Sequence, residues 1–281
     1  MNNHNIAQAL TIAGSDSGGG AGIQADLKTF QMRGVFGTSV ITAVTAQNTL
    51  GVYDIHPIPL TTIEAQLKAI AEDFQISVFK LGMLGTAEII ECVSHALAKC
   101  RFGQMVLDPV MIAKGGAPLL QQSAVTALKQ YLVPLAEIIT PNLPEAEALT
   151  GIRIIDDRTV EQAARYLQQL GAKTVVIKGG HSGNSQSAVC RDWIFSEKQA
   201  FTLESPRYPT QHTHGTGCTF SACITAELAK GQSAVTAIKL AKQFITAAIS
   251  NPLNIGHGHG PTNHWAFSCI PQERYNQYDR Y

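Results

Sequence analysis

Hydrophobic positions along this chain follow two alternating patterns. Short runs rich in β-branched residues, such as Thr38–Thr45, are typical of buried strands. Longer stretches such as Thr61–Phe74 repeat apolar residues at spacings of three and four, which is typical of a helix with one buried face. The regular exchange of the two patterns predicts β-α-β units. We therefore expect an α/β fold whose central, mostly parallel sheet is flanked by helices on both faces.

Glycines, prolines and polar clusters set the bounds of the predicted elements. The predicted strands are Ala9–Ala13, Thr38–Thr45, Val52–Ile58, Val78–Leu81, Met105–Asp108, Ile138–Thr140, Thr174–Lys178, and a hairpin of Ala188–Phe195 with Ala200–Leu203. The predicted helices are Ile23–Arg33, Thr61–Phe74, Thr86–Lys99, Ser123–Tyr131, Leu143–Thr150, Thr159–Leu170, Gly215–Lys230 and Ser233–Ser250. Val52–Ile58 is expected at a sheet edge, because Pro57 and Pro59 would spoil a central strand. No linker or repeat divides the chain, so residues 1–281 are expected to form one domain.

Composition narrows the class of protein. Hydrophobic residues make up 45% of the chain and charged residues 15%, against the roughly 25% charged residues of typical soluble domains. So large an apolar share offsets the entropy of ordering, and a disordered chain is excluded. The 21 basic and 21 acidic residues leave a formal net charge of zero, which argues against a nucleic-acid partner. Any phosphate must then be bound by loop amides, helix N-termini and a few placed cations.

The same composition predicts the compartment. No segment reaches the roughly 18 uncharged apolar residues of a membrane span, and residues 1–10 lack the basic and apolar regions of a signal peptide. None of the six cysteines forms a C-x-x-C pair. We therefore expect a reduced, cytoplasmic protein without a membrane partner.

A glycine-rich segment, Gly14–Gly22, follows the first predicted strand. Glycines between a strand and a helix let a backbone approach a ligand closely. The segment partly matches a dinucleotide-binding fingerprint, but the next strand leads into Gln47 rather than an acidic residue, and no Walker A lysine follows. A nicotinamide oxidoreductase is therefore poorly supported. The structural alternative is a tight turn that packs a helix closely.

A second glycine segment, His214–Cys218, begins a predicted helix. Its backbone amides and the helix dipole favour an anion. Cys218 falls in the first helical turn, a position that lowers the pKa of a thiol, so we expect a reactive thiolate. The structural alternative is a small buried cysteine.

Polar residues at three other strand ends are candidates for a magnesium and phosphate site. Asp108, Asn142 and Glu145 offer the few oxygen ligands that a hydrated Mg²⁺ needs, although Asn142 and Glu145 could equally cap a helix. Lys178 is a point charge suited to a phosphate, or else a solvated lysine. The histidines of residues 254–265 offer a weaker metal hypothesis, since no acidic or cysteine partner is nearby.

These motifs, in this order, resemble the ribokinase-like superfamily, and within it the hydroxymethylpyrimidine/phosphomethylpyrimidine kinases of thiamine biosynthesis. The strings that carry the resemblance are AGSDSGGGAGIQADLKT, TAVTAQNT, KLGML, LDPVM, TPNLPEAE, VIKGGH, HGTGC and NIGHGHGPTNHW. They span nearly the whole chain. The resemblance implies a sheet with a small β-flap, commonly a homodimer, and two successive phosphorylations by Mg-ATP. The first acts on 4-amino-5-hydroxymethyl-2-methylpyrimidine and the second on its monophosphate.

The resemblance also implies roles for individual residues. The pyrimidine would be bound by Gly14, Asp26, Gln47, Met83 and Val110, with the Gln47 amide both donating and accepting. Mg²⁺ and phosphates would be organised by Asp108, Asn142 and Glu145. Lys178 would bind an ATP phosphate. The anion site for the transferring phosphoryl group would be formed by Gly215, Thr216 and Gly217.

Cys218 is the expected catalytic residue. Most superfamily sugar kinases have Gly-Ala-Gly-Asp where this chain has Gly-Thr-Gly-Cys, a variant associated with pyrimidine and some pyridoxal kinases. We hypothesise that a thiol serves both steps. It can be a thiolate for the neutral alcohol and uncharged for the monophosphate, which already carries about 1.5–2 negative charges. A fixed carboxylate would repel that monophosphate.

Two other functional interpretations remain open beside the oxidoreductase discussed above. A pyridoxal kinase shares the fold, metal and anion site, although Gln47 and Met83 favour the pyrimidine. A non-catalytic binding protein on the same scaffold would have no need of Cys218, Asp108 or Lys178.

Residues 113–116, Ala-Lys-Gly-Gly, are a candidate closing loop of the kinase, with Lys114 reaching a phosphate.

Overall fold

A computed structural model of the chain describes residues 6–112, 119, 122–181 and 188–269. Within these ranges nine strands form one sheet in the order β3-β2-β1-β4-β5-β6-β7-β8-β9. The strands are β1 (Gln8–Asp16), β2 (Phe36–Gln47), β3 (Val52–Pro57), β4 (Val78–Leu81), β5 (Gln104–Leu107), β6 (Ala136–Ile139), β7 (Thr174–Lys178), β8 (Val189–Phe195) and β9 (Ala200–Pro206). The candidate closing loop and residues 272–281 lie outside the described residues.

The sheet is parallel in its centre and antiparallel at both edges. β2, β1, β4, β5, β6 and β7 pair in parallel, whereas β3 pairs antiparallel with the end of β2. β8 and β9 form the expected hairpin, which pairs antiparallel with β7. The edge position predicted for Val52–Ile58 is confirmed, because β3 is the terminal strand and pairs antiparallel with β2.

Helices cover both faces of the sheet, as the patterning predicts. They are α1 (Gly22–Met32), α2 (Leu60–Asp73), α3 (Ala87–Leu97), α4 (Gln122–Ala127), α5 (Leu143–Thr150), α6 (Asp157–Gln169), α7 (Thr216–Ala229), α8 (Ala234–Ser250) and α9 (Ala266–Cys269). One core lies between the sheet and α2, α3, α4, α5 and α6, and a second core lies under α7 and α8. Two local features differ from the prediction: Leu128–Leu132 continues α4 as a π-helix, and α9 had no predicted counterpart.

Among the helices of the described ranges, none is both long and apolar enough to cross a bilayer.

Several helices begin or end at residues with recognisable capping chemistry. α3 begins where the Thr86 side chain accepts a hydrogen bond from the Ile89 amide, and α5 ends at Gly151, which has φ +74°.

Candidate active site

A cavity of about 760 Å³ lies at the carboxyl edge of the sheet, where β1, β4, β5, β6 and β7 end. Ligands of open α/β sheets bind at this edge. All predicted site residues except Asp26 line the cavity, namely Gly14, Gln47, Met83, Asp108, Val110, Asn142, Glu145, Lys178, Gly215, Thr216, Gly217 and Cys218. A second cavity, of about 460 Å³, lies near the amino ends of the central strands and contains none of the predicted site residues.

Asp108 and Lys178 form an ion pair at the centre of this edge. The Lys178 Nζ atom lies 3.0 Å from Oδ1 of Asp108. Thr140 and Ser221 also donate hydroxyl hydrogen bonds to the Asp108 carboxylate, at 3.2 Å each. Burial alone would raise the pKa of Asp108, but the charges of Lys178 and Lys80 lower it below its ordinary value. Asp108 is therefore a fixed anion, and Lys178 is a fixed cation facing the cavity.

Asn142 and Glu145 form a capping box at the start of α5. The Asn142 side chain accepts from the Glu145 amide, and the Glu145 carboxylate accepts from the Asn142 amide, both at 2.8 Å. The pKa of Glu145 is raised to about 7: burial is the largest cause, the charge of Lys178 lowers the pKa, and the charge of Asp108 raises it. The capping alternative is thus realised, and the Glu145 carboxyl still lines the cavity. The described residues contain no group of three or more His, Cys, Asp or Glu arranged to hold a metal.

Gly215 caps α7 in the left-handed region, at φ +79°. A Cβ atom there would collide with the backbone oxygen of Gly20, so only glycine lets the two glycine segments touch. Two residues on, a Cβ atom at Gly217 would lie 3.3 Å from Lys178 Nζ. The first turn of α7 therefore approaches the Asp108–Lys178 pair closely.

Asp16 organises the first glycine segment and was not among the predicted site residues. Its carboxylate accepts hydrogen bonds from the amides of Gly18, Gly20 and Ala21 at 2.8–3.0 Å, and His214 Nε2 lies 2.8 Å away. Burial would raise the pKa of Asp16, but the hydrogen bonds from His214 and Gln47 lower it to about 2. Because Asp16 occupies these loop amides, the structure favours the tight-turn alternative for this segment. The sequence signal that could have identified Asp16 is its place as an acidic residue between the first predicted strand and the glycines that begin at Gly18.

Cys218 lines the cavity, and the expectation of a lowered thiol pKa is wrong. Burial raises the pKa of the Cys218 thiol to about 11. The Lys80 charge and a hydrogen bond from the Gly22 amide favour the thiolate, whereas Asp26 and Asp108 oppose it. The helix N-terminus does not outweigh desolvation at this position.

Asp26 does not line the cavity, so the expected direct contact with a pyrimidine is not what the structure shows. Its carboxylate is fully buried, 2.8 and 2.9 Å from Lys80 Nζ, and accepts a 2.6 Å hydrogen bond from Thr11. Sequence patterning could not reveal this pairing, because Asp26 lies in α1 and Lys80 comes 54 residues later, in β4.

Gln47, Met83 and Gly14 lie along the β1–β2 side of the cavity. Gln47 is fixed by two hydrogen bonds between its backbone and the Ser17 hydroxyl, at 2.7 and 2.8 Å, and its side chain bonds Asp16. A Cβ atom at Gly14 would lie 3.2 Å from the Met83 terminal methyl group. The missing side chain at Gly14 therefore lets Met83 pack against the backbone of β1 at this wall.

The glycine-histidine segment, residues 255–262, joins two borders of the cavity. The amides of His257 and Gly258 donate to the Thr49 hydroxyl at 3.2 Å, and the His259 amide donates to the Thr49 carbonyl at 2.7 Å. The Gly260 carbonyl accepts from the His214 amide at 3.1 Å. The segment thus links the β2–β3 turn to the loop before α7, and no metal group is formed by its described histidines.

Comparisons with known proteins agree with this geometry. A family model described as phosphomethylpyrimidine kinase matches residues 16–263. A hydroxymethylpyrimidine/phosphomethylpyrimidine kinase from Haemophilus influenzae is 72% identical over 267 residues, which cover 95% of this chain and 99% of that protein. The thiamine biosynthesis bifunctional protein ThiED of Geobacter sulfurreducens is 49% identical over 91% of this chain and 51% of its own length.

Solved structures show the same fold. An ADP complex of Bacillus subtilis pyridoxal kinase matches with a TM-score of 0.86 and 42% identity, over 94% of this chain and all of that chain. The predicted ribokinase-like α/β fold is therefore confirmed. With a family model matched from Asp16 to Asn263 and a relative 72% identical over nearly its full length, the chain belongs to the phosphomethylpyrimidine kinase family.

Proposed function

We propose that this protein is an ATP-dependent kinase of thiamine biosynthesis. It phosphorylates 4-amino-5-hydroxymethyl-2-methylpyrimidine and then converts the monophosphate to the diphosphate. The observation that carries the proposal is the meeting of the Asp108–Lys178 pair with the first turn of α7 at one cavity. The names of the Haemophilus and Geobacter relatives support the substrate and pathway.

The residues divide into two groups along the cavity. Lys178 supplies positive charge to the phosphates, and the amides of Gly215, Thr216 and Gly217 orient them; positioning and charge stabilisation are the main demands of phosphoryl transfer. Cys218 is the proposed proton acceptor for the substrate hydroxyl, and because burial raises the pKa of its thiol to about 11, only the thiolate fraction of the protein can accept that proton. The pyrimidine lies against Gly14, Gln47, Met83 and Val110, and Asp26 supports this pocket from behind rather than by contact.

Asp108 and Glu145 fit a hydrated Mg²⁺ that arrives with ATP. Both Asp108 and Glu145 line the cavity, and a cation bound beside them would favour the ionised form of Glu145 that burial disfavours. The side-chain oxygen of Asn142 already accepts a hydrogen bond from the Glu145 amide. It would therefore bind the ion only through the second lone pair of that oxygen. When bound, the ion would neutralise phosphate charge.

Because pyridoxal kinases are among the similar solved structures, pyridoxal is an alternative substrate for this protein. A hydroxymethyl group on an aromatic nitrogen heterocycle is common to pyridoxal and the pyrimidine, and the two pockets share one fold. We expect a higher kcat/KM for the pyrimidine. A higher kcat/KM for pyridoxal, measured side by side, would reverse the assignment.

The direct test is incubation with Mg-ATP and the hydroxymethylpyrimidine, with products followed by mass. Monophosphate that accumulates first and is then consumed as diphosphate appears supports the two-step proposal. ATP-independent or absent phosphorylation contradicts it. A Cys100→Ser variant, changed at a half-buried thiol outside the cavity, is the matched control for substitutions at Cys218.

We also propose a cytoplasmic homodimer. Apolar side chains are exposed on and beside the β2–β3 edge, including Val44, Leu50 and Tyr53. Such an edge would be covered in a dimer. Light scattering after size exclusion should give twice the chain mass of 30.1 kDa, and Tyr53→Lys should shift it toward the monomer.

A further inference from the structure

A buried ion pair joins strand β8 to helix α8 at one wall of the cavity. The Lys242 ammonium lies 2.8 Å from Oδ2 of Asp192 and also donates to the Cys190 carbonyl at 3.3 Å. Asp192 and Lys242 are only 6% and 8% exposed, and both line the cavity. Burying two charges is costly, and an apolar pair of similar size is often as stable. The stability of the fold alone therefore gives little reason for this pair.

Asp192 also binds the peptide that follows Lys178. Lys178 ends β7 and lies opposite Asp192 in the antiparallel pairing of β7 with β8. The amide of the next residue, Gly179, donates to Oδ1 of Asp192 at 3.0 Å. The two carboxylate oxygens thus have separate partners, the Gly179 amide and the Lys242 ammonium. The acceptor at position 192 therefore fixes the backbone immediately after Lys178.

Gly179 packs directly against β8. A Cβ atom there would collide with the Arg191 carbonyl oxygen and lie 2.9 Å from the Trp193 ring. On the other side of the lysine, the Lys178 amide donates to the Pro141 carbonyl at 2.8 Å. The Lys178 ammonium lies 3.0 Å from Asp108. The lysine is therefore held both at its backbone and at its charged end.

The ion pair also connects Lys178 to the helix that begins at the anion site. Lys242 lies in α8, and α8 packs on α7, whose first turn contains Gly217. A Cβ atom at Gly217 would lie 3.3 Å from Lys178 Nζ. A lysine side chain has four flexible carbon atoms, so its charge is placed accurately only when its backbone is fixed. Asp192 provides that fixed backbone from the side of α8.

We propose that Asp192, held in place by Lys242, is a positioning residue for Lys178. It fixes the Gly179 peptide so that the Lys178 ammonium meets the phosphates at the distance that transfer requires. The inference rests on the proposed function, in which Lys178 supplies positive charge to the phosphates. Asp192 and Lys242 exchange no proton and bind no substrate atom in this role. A displacement of about 1 Å at a catalytic group can lower the rate about 100-fold.

Two double variants separate the hydrogen bond from the ion pair. The amide variant, Asp192→Asn with Lys242→Met, keeps a side-chain oxygen for the Gly179 amide. The apolar variant, Asp192→Leu with Lys242→Met, keeps none. Both remove the two charges together, so neither leaves a buried charge unpaired. Arg33→Met with Glu227→Gln is the matched control, since it removes another buried ion pair whose residues do not line the cavity.

We expect the apolar variant to lose about 10- to 100-fold in kcat with Mg-ATP and the hydroxymethylpyrimidine, at an unchanged KM for the pyrimidine. The amide variant and the control should keep a kcat close to that of the wild type. Equal losses of kcat in the apolar and amide variants overturn the inference.

The same change in a Lys178→Met background tests whether the effect passes through Lys178. The apolar substitutions should lower kcat no further there, because the group that they displace is already absent. A direct contact of Lys242 with ATP, or a pair that only supports the fold, would lower kcat by the same factor in both backgrounds. That result overturns the inference.

A second measurement needs no catalysis. Labelling with ¹³C-carbonyl lysine and ¹⁵N-glycine selects the Lys–Gly peptides, which in this chain are Lys114–Gly115, Lys178–Gly179 and Lys230–Gly231. The Gly179 amide signal, identified by its loss in Lys178→Met, should move upfield in the apolar variant and stay near its wild-type position in the amide variant. Gly231, whose amide donates to the Leu228 carbonyl, is the internal control. A Gly179 signal that does not move in the apolar variant overturns the inference.

The two measurements keep this inference separate from the proposed function. A wild-type protein that does not phosphorylate the pyrimidine overturns the proposed function, and the Gly179 signal still reports whether Asp192 fixes that peptide. An active wild type with an equally active apolar variant retains the function and refutes the role of Asp192. If the apolar variant does not fold by circular dichroism, Asp192→Ala with Lys242→Met replaces it, since alanine also lacks an acceptor.

Discussion

Oδ1 of Asp108 lies 3.0 Å from Nζ of Lys178, although the two residues are 70 positions apart in the chain. Each follows or ends a parallel strand, and hydroxyl groups of Thr140 and Ser221 hold the carboxylate from its other sides. The two charges are therefore ordered before a ligand binds. Such preorganisation lowers the reorganisation needed when charge develops on a phosphate.

Removal of the Lys178 charge should reduce catalysis strongly. We expect Lys178→Met to lower kcat by about 100- to 1,000-fold, because a fixed donor to the phosphate is lost. Stability should fall by about 3 kcal/mol, since Asp108 is left buried without its main partner. Steady-state kinetics and urea unfolding measure the two effects.

The matched control is Lys173→Met. Lys173 is paired with Glu137 at 2.8 Å, but its side chain is 62% exposed and lies at the opposite edge of the sheet. Activity should be retained and stability should change by about 1 kcal/mol or less. Equal activity losses in the two variants would contradict the assigned role of Lys178.

A carboxylate in place of the Cys218 thiol should separate the two phosphorylation steps. Cys218→Asp places a fixed negative charge near Asp108, where the incoming monophosphate is also negative. The second step should fall about tenfold more than the first, which corresponds to about 1.4 kcal/mol. Rates of monophosphate and diphosphate formation, each measured from its own substrate, give the ratio.

Cys218→Ser is the neutral control for that comparison. It changes the acidity of the side chain without adding charge, so both steps should fall by the same factor. Equal losses in both steps for Cys218→Asp would show that charge repulsion is not the reason for a thiol.

A methyl group at Gly215 should disrupt the contact between the two glycine segments. Gly215→Ala combines left-handed strain, about 1–2 kcal/mol, with a collision against the Gly20 carbonyl. We expect a total loss above about 2 kcal/mol together with a large loss of kcat. Gly231→Ala is the matched control, because φ is +84° there but nothing lies within 4 Å of the added atom. It should lose only the strain energy and keep full activity.

His264 should make the fold sensitive to mild acid. It is buried beside Thr219, with Nε2 3.0 Å from the hydroxyl, and burial lowers its pKa from 6.5 to about 4. The unfolded chain gains a proton at this histidine below pH about 6.5, whereas the folded chain gains it only near pH 4. The folded state is therefore destabilised as pH falls through this window, by up to about 3 kcal/mol in all.

His264→Gln keeps a side-chain acceptor for Thr219 and removes the titration. Its unfolding free energy should depend less on pH between about 6.5 and 4 than that of the wild type. Urea unfolding at several pH values gives both curves. Parallel curves would show that His264 is not the titrating group.

The amino-acid sequence predicts the edge of the sheet that carries the site better than it predicts the chemistry there. Asp108, Asn142 and Lys178 were placed together because parallel strands bring their carboxyl ends to one edge. The state of Cys218 could not be predicted, since it depends on how deeply α7 is buried and on charges from α1 and β4. Asp26 has the same limitation: a helix position does not show whether its carboxylate meets a ligand or the ammonium of Lys80.

The glycine-histidine segment has a consequence for synthesis of the chain. The Thr49 carbonyl accepts a hydrogen bond from the His259 amide, and the His214 amide donates one to the Gly260 carbonyl. His259 and Gly260 both come late in the sequence. Domains fold progressively as the chain leaves the ribosome. A nascent chain that already contains every strand would still lack the backbone hydrogen bonds that join residues 259 and 260 to the β2–β3 turn and to the loop before α7. The β2–β3 turn and the loop before α7 should therefore be linked only in chains that extend past residue 260.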